Sequence, residues 1–139
     1  MIYKKITLGT LAFLISSFVI QGLLGFALAG EYFESISIFR NPPIIYLAIT
    51  QTIVTGIAFA ILYPITNLHG TPVLRGLKFG LLIAIIVVPF VALDLPARFM
   101  IPSMGKWILV QGVLGITHYA IAGILTGLIY GKDSDKMER

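Results

Sequence analysis

Four apolar stretches constrain this chain more than any other feature: Leu8 to Gly30, Pro43 to Pro64, Gly76 to Leu93 and Trp107 to Tyr130. Each approaches or reaches the roughly 20 residues that a helix needs to cross about 30 Å of hydrocarbon. Lys78 lies near the start of the third, where its long stem lets the ammonium snorkel to the surface. The pattern predicts an all-α integral membrane domain over 1–139, with transmembrane helices at about 6–30, 43–65, 73–95 and 106–131. The 139 residues are 58% hydrophobic and 12% charged, with mean hydropathy +0.97, which is more apolar surface than a soluble domain can hide.

The chain has no cysteine, which excludes disulfides, thiolate metal sites and thiol redox chemistry. Its net charge of +4 raises the question of nucleic acid, but the basic residues sit at helix ends, where they act as orientation signals. A nucleic-acid partner is therefore not expected. Lys4 and Lys5, an apolar run, and Ala27 and Ala29 imitate a secretory signal, yet the run exceeds the usual length of about 7–15 residues. We expect an uncleaved first helix. An N-in/C-in arrangement in the plasma (inner) membrane puts Lys4, Lys5, Arg75, Lys78, Lys132, Lys136 and Arg139 inside, against Arg40, Arg98 and Lys106 outside. That asymmetry favours cytoplasmic termini.

The connection at 66–76 is a short turn broken by Gly70 and Pro72, whereas 31–43 and 94–107 mix aromatics, methionine and charge. Those two outer segments either cap helix ends or lie at headgroup depth. A shift of 67 residues pairs Gly9 with Gly76, Ile49 with Ile116, Thr50 with Thr117, Gly56 with Gly123 and Tyr63 with Tyr130. Two duplicated helical hairpins, inserted the same way round, would produce that match.

His118 falls near the centre of the fourth stretch, where an ionisable group is expensive unless it meets a partner or a cavity. At about 100° per residue, Gln111 shares its face; Ser17 and Gln21 share a face on the first helix, and Gln51 and Thr55 on the second. The expected seam is therefore Ser17, Gln21, Gln51, Thr55, Gln111 and His118, among helices one, two and four. Helix three has no polar group at its centre and is kinked or loosened at Pro89, so it is expected to be the most lipid-exposed. The seam either glues the bundle by hydrogen bonds or lines a ligand or ion path. An axial role for His118 toward haem or chlorin is a minor alternative, with Gly115 and Ala122 leaving room.

The pentapeptides at 21–25 and 111–115 are nearly identical, and Gly22, Gly25, Gly112 and Gly115 would let helices one and four approach closely while Gln21 meets Gln111. Gly123, Gly127 and Gly131 repeat every four residues, as do Gly76 and Gly80. The first row points away from His118, so with the polar face inward it is expected to meet another subunit or a lipid tail, although packing within one bundle could use either row. At the outer rim, Glu31, Glu34, Arg40, Asp94 and Arg98 form an expected charge cluster.

No nucleophile–base pair, paired metal-ligand histidines or phosphate-cradling loop is present in the sequence. Expected is a non-enzymatic membrane subunit that works by helix packing, with the bilayer and other transmembrane helices, its own or a partner's, as its contacts. A small transporter or channel along the seam is the alternative, and haem or pigment carriage a further one.

Overall fold

In a computed structural model that describes residues 1–131, the chain forms four helices long and apolar enough to cross a membrane: α1 (Ile2–Glu34), α2 (Ile45–Ile65), α3 (Pro72–Arg98) and α4 (Met104–Tyr130). Among the described residues there is no strand. Alternate crossing leaves Met1, the 66–71 turn and Gly131 on one side, here the N-terminal side, and the 35–44 and 99–103 connections on the other. Lys132, Lys136 and Arg139, used above for orientation, lie outside the described residues.

Local chemistry sets the helix ends. The Thr71 side chain accepts from the Leu74 backbone N–H at 3.3 Å, and Pro72 opens α3 where a missing N–H costs nothing. Helix α1 extends beyond the expected 6–30 at both ends, and within that span Phe18–Leu24 is π-helical. The buried positions of α1 show its effect. They run Gly9, Phe13, Ser16, Ile20 at spacings of four, three and four, then skip to Gly25, Ala29, Tyr32 and, past the helix end, Ile36 with the same spacings. One inserted residue thus separates two stretches of regular packing.

Helices α3 and α4 make the closest backbone approach. The buried positions of α3 include every fourth residue, Gly76, Gly80, Ala84, Val88, Ala92 and Pro96; of these Gly76, Gly80 and Val88 meet the row Gly115, Tyr119, Gly123 and Gly127 of α4, and Pro72 meets Gly131 just past its end. A methyl group added to Gly76 would collide with the Gly123 carbonyl oxygen, and one on Gly80 with that of Tyr119. Such small-residue rows substitute close dispersion contact for the hydrophobic drive that lipid cannot supply. Two expectations are overturned here. The glycine row of α4 faces α3 inside the bundle, not another subunit. Nor is α3 the most lipid-exposed helix: 33% of its apolar window is buried, against 17% for α2. Polarity is not needed to bury a helix when glycines let its backbone come close.

Helix α2 is buried only at Gly56, Phe59, Ala60 and Tyr63, all in the half nearest the N-terminal side. There Gly56 faces Thr10, Phe13 and Leu14 of α1, and the aromatic core of Phe13, Phe59, Tyr63, Phe79, Tyr119 and Tyr130 joins all four helices. Pro64 has no N–H to offer the Ala60 carbonyl, and the Tyr130 hydroxyl supplies the missing donor at 2.9 Å. On α3, Pro89 leads into a second π-helical turn, Phe90–Asp94. Trp107 Nε1 donates to the Val91 carbonyl in that turn at 3.0 Å. Tyr32, Ile36 and Trp107 close this end, with the Tyr32 hydroxyl donating to the Pro102 carbonyl at 2.7 Å. Phe39 and Phe99 remain about half exposed, and Met100 almost fully.

Candidate functional site

Of the titratable groups within the spans, His118 is the most enclosed. Its ring is 2% exposed, meets Phe13 edge-on at a centroid distance of 4.7 Å, and lies 4.9 Å from Tyr119. Nδ1 is 3.4 Å from Gln21 Nε2, a contact in which the ring nitrogen accepts from the amide. Gln21 stands in the π-helical turn of α1, and its outer part stays exposed. His118 Nε2 is buried with no hydrogen-bond partner, and Thr126 Oγ1, two turns along α4, is likewise buried and unpartnered.

The remaining members of the expected seam lie elsewhere. Gln51 is exposed on α2, its Nε2 donating to Thr55 Oγ1 at 2.9 Å, while the Thr55 hydroxyl donates to the Gln51 carbonyl. No residue of α2 before Gly56 is buried, so Gln51 does not reach His118. Ser17 is half-buried; the fully buried serine is its neighbour Ser16, whose hydroxyl donates to the Phe13 carbonyl at 2.9 Å. A uniform 100° projection carries Ser17 and Gln21 to one face, but the π-helical insertion between Ile20 and Gly25 changes the register along that face. Gln111 is half-buried and forms no side-chain hydrogen bond among the described residues; Gln21 turns to His118 instead.

The glycines divide similarly. Gly25 lies against Leu114, Gly115 against Val88 and Gly131 against Pro72, while Gly123 and Gly127 oppose the backbone of α3. Gly22 meets only Phe18 of its own helix, and nothing lies within 4 Å of where a Gly112 side chain would begin. Helices α1 and α4 do touch between the two pentapeptides, where Gly25 meets Leu114, but Gly22 and Gly112 take no part and Gln21 does not meet Gln111.

A porphyrin or chlorin does not fit beside His118. Phe13 and Tyr119 close over the ring, Val88 fills the space at Gly115, and Ala122 is fully buried. Among the described residues no group of three or more His, Cys, Asp or Glu side chains is placed to hold a metal ion. At the rim, Arg98 Nε donates to Asp94 Oδ1 at 3.0 Å, with side chains 69% and 31% exposed. Glu31, Glu34 and Arg40 are exposed, and no ion pair among the described residues joins them to that pair.

Three polar side chains were not anticipated as site residues. Arg75 is 8% exposed, with Nη2 3.4 Å from the Gly131 carbonyl, where a cation complements the carbonyl end of α4. Its Nε and the Tyr63 hydroxyl are buried without partners. The available signal was position: Arg75 precedes Gly76, the first glycine of the α3 row, so close packing there draws the arginine in with it. Thr126 carried a weaker signal, adjoining Gly127. An apolar hollow of about 310 Å³ also opens between α3 and α4, lined by Leu81, Ala84, Ile85, Val88, Pro89 and Ile116, and no polar seam residue borders it. Compared with protein-family models, curated proteins and solved structures, the chain matches none.

Proposed function

We propose that this chain is a small, non-enzymatic, multi-pass membrane protein that acts by packing against other transmembrane helices, as a homo-oligomer or as an accessory subunit of a larger membrane complex. One observation carries this: Gln51, bonded to the half-buried Thr52 and Thr55, is exposed on the half of α2 where the bundle buries no residue. Gln51 lies about 9 Å along the helix from Ile45, well inside the hydrocarbon. An amide facing acyl chains is costly, and a second helix that offers a hydrogen bond relieves that cost. The glycine rows, by contrast, are used up between α3 and α4.

The test is the protein mass in detergent solution, measured for the wild type and for Gln51→Leu. We expect a mass above the 15.2 kDa of one chain, lowered by the substitution. A 15.2 kDa particle in both cases, with no other membrane protein co-purifying, would remove the proposal.

N-in/C-in insertion in the plasma (inner) membrane belongs to the same proposal. It is supported by Lys4, Lys5, Arg75 and Lys78 on the N-terminal side, against an opposite side where Arg40, Arg98 and Lys106 are balanced by Glu31, Glu34 and Asp94. Duplication of a helical hairpin is proposed too. Gly9 of α1 packs on Ala60 of α2, and Gly76 of α3 packs on Gly127 of α4, equivalent contacts under the 67-residue shift.

A second reading, a small transporter or channel along the interior polar groups, is favoured by the buried unpartnered His118 Nε2 and Thr126 Oγ1. In that case His118→Ala abolishes flux across vesicles or shifts its pH dependence; unchanged transport dismisses it.

A further inference from the structure

We infer that α2 pairs with α2 of a second copy of this chain through a seam of Leu47, Gln51, Val54, Ala58, Ile61 and Ile65. This deepens the helix-packing proposal and rests on it. The six positions are spaced four, three, four, three and four, the heptad repeat of a left-handed helix pair. All are exposed; Val54 reaches 60% and Ile65 69%. At 100° per residue they lie within about 40° of one direction, and the buried Gly56, Phe59, Ala60 and Tyr63 point the opposite way. The bundle thus grips one face of α2 and presents the other along its whole length.

The chemistry of the seam selects its occupant. It carries no charge that would call for an oppositely charged partner, and its polar member is an amide, which donates and accepts at once. Gln51 Nε2 gives one N–H to Thr55, which leaves a second N–H, and Oε1 is held only by a 3.4 Å contact from Thr52. A two-fold axis along the membrane normal brings residues of the same number to the same depth. Gln51 then meets Gln51 of the other copy, each donating to the other, and a foreign helix would need a matching group at that one depth. A single polar residue in a heptad seam also sets the register. Ala58, close to Gln51 on the same face, lets the two backbones approach.

The absence of cysteine makes the test clean. Val54→Cys and Ala58→Cys place a thiol in the seam, whereas Ile49→Cys places one on an exposed position about 160° away. Each full-length variant is oxidised in the membranes of cells that make it. Disulfide-linked homodimers at positions 54 and 58 but not 49 are expected. Gln51→Leu should weaken dimerisation of the wild-type background about threefold to tenfold in a vesicle dilution series. Equal cross-linking at all three positions, or no effect of Gln51→Leu, overturns the seam. Cross-links from 54 and 58 to a different membrane protein overturn the second copy while leaving the helix-packing proposal standing. Monomers without any cross-link overturn both.

Discussion

Replacing Tyr130 by phenylalanine removes one oxygen atom, and its effect should depend on a residue in a different helix. The hydroxyl donates at 2.9 Å to the Ala60 carbonyl, in a contact buried within the bundle. Ordinarily that carbonyl would accept from the N–H four residues on, but residue 64 is proline. Tyr130→Phe therefore strands a buried acceptor, at about 1–3 kcal/mol by the general scale, or about 0.6–1.7 kcal/mol by the range measured between membrane helices. The ring itself, with its packing on Tyr63 at 5.2 Å and the Lys5 ammonium 5.6 Å from its centre, is retained. Pro64→Ala returns an N–H to residue 64, and Pro64 is exposed, so alanine fits without repacking the core. In that background Tyr130→Phe should cost less than about 0.5 kcal/mol, leaving a coupling of roughly 1 kcal/mol. Unfolding by sodium dodecyl sulfate in mixed micelles, followed through the single tryptophan, Trp107, measures all four corners of this cycle. Additivity within about 0.3 kcal/mol would refute the claim that Tyr130 stands in for the N–H that Pro64 lacks.

Gly80→Ala should destabilise the bundle by about 2 kcal/mol or more, because its methyl group meets the Tyr119 backbone, which has no rotamer by which to yield. In the same mixed-micelle assay Gly112→Ala should be neutral or stabilising by up to about 1 kcal/mol, since it meets nothing and improves helix propensity. Trp107→Phe should cost about 1–2 kcal/mol by leaving the Val91 carbonyl without its 3.0 Å donor, which faster amide exchange at the second π-helical turn would report. Asp94→Asn should change stability by less than about 1 kcal/mol, since its partner Arg98 is mostly exposed; a larger loss at moderate salt would mean that the pair is shielded from water.

The difference between Gln21 and Gln51 shows how far residue pattern reaches. Both were expected to join His118, on the same projection of a regular helix. Only Gln21 does, and it does so from a π-helical turn that no propensity in Phe18–Leu24 announces. Gln51 sits at a comparable depth but on a helix held by its lower half alone. The glycine rows were legible as packing surfaces because their four-residue spacing brings small residues onto one line. What they pack against was not, because a row fits an internal helix and a foreign one equally well. His118 stood out as a group needing enclosure, whereas Arg75 did not, because a cation near a helix end ordinarily reaches water.

The number of helices, their approximate bounds and the enclosure of His118 follow from the residues themselves, because the thickness of hydrocarbon and the cost of placing polar atoms in it act on each segment separately. Pairing α3 with α4, leaving half of α2 bare and turning Gln21 toward His118 are decided only when the helices meet. Acyl chains and protein interiors are nearly alike to a leucine, so apolar patterning does not rank one face against another. That ranking comes from shape: how closely backbones approach at Gly76, Gly80, Gly123 and Gly127, and where one inserted residue shifts the face of α1.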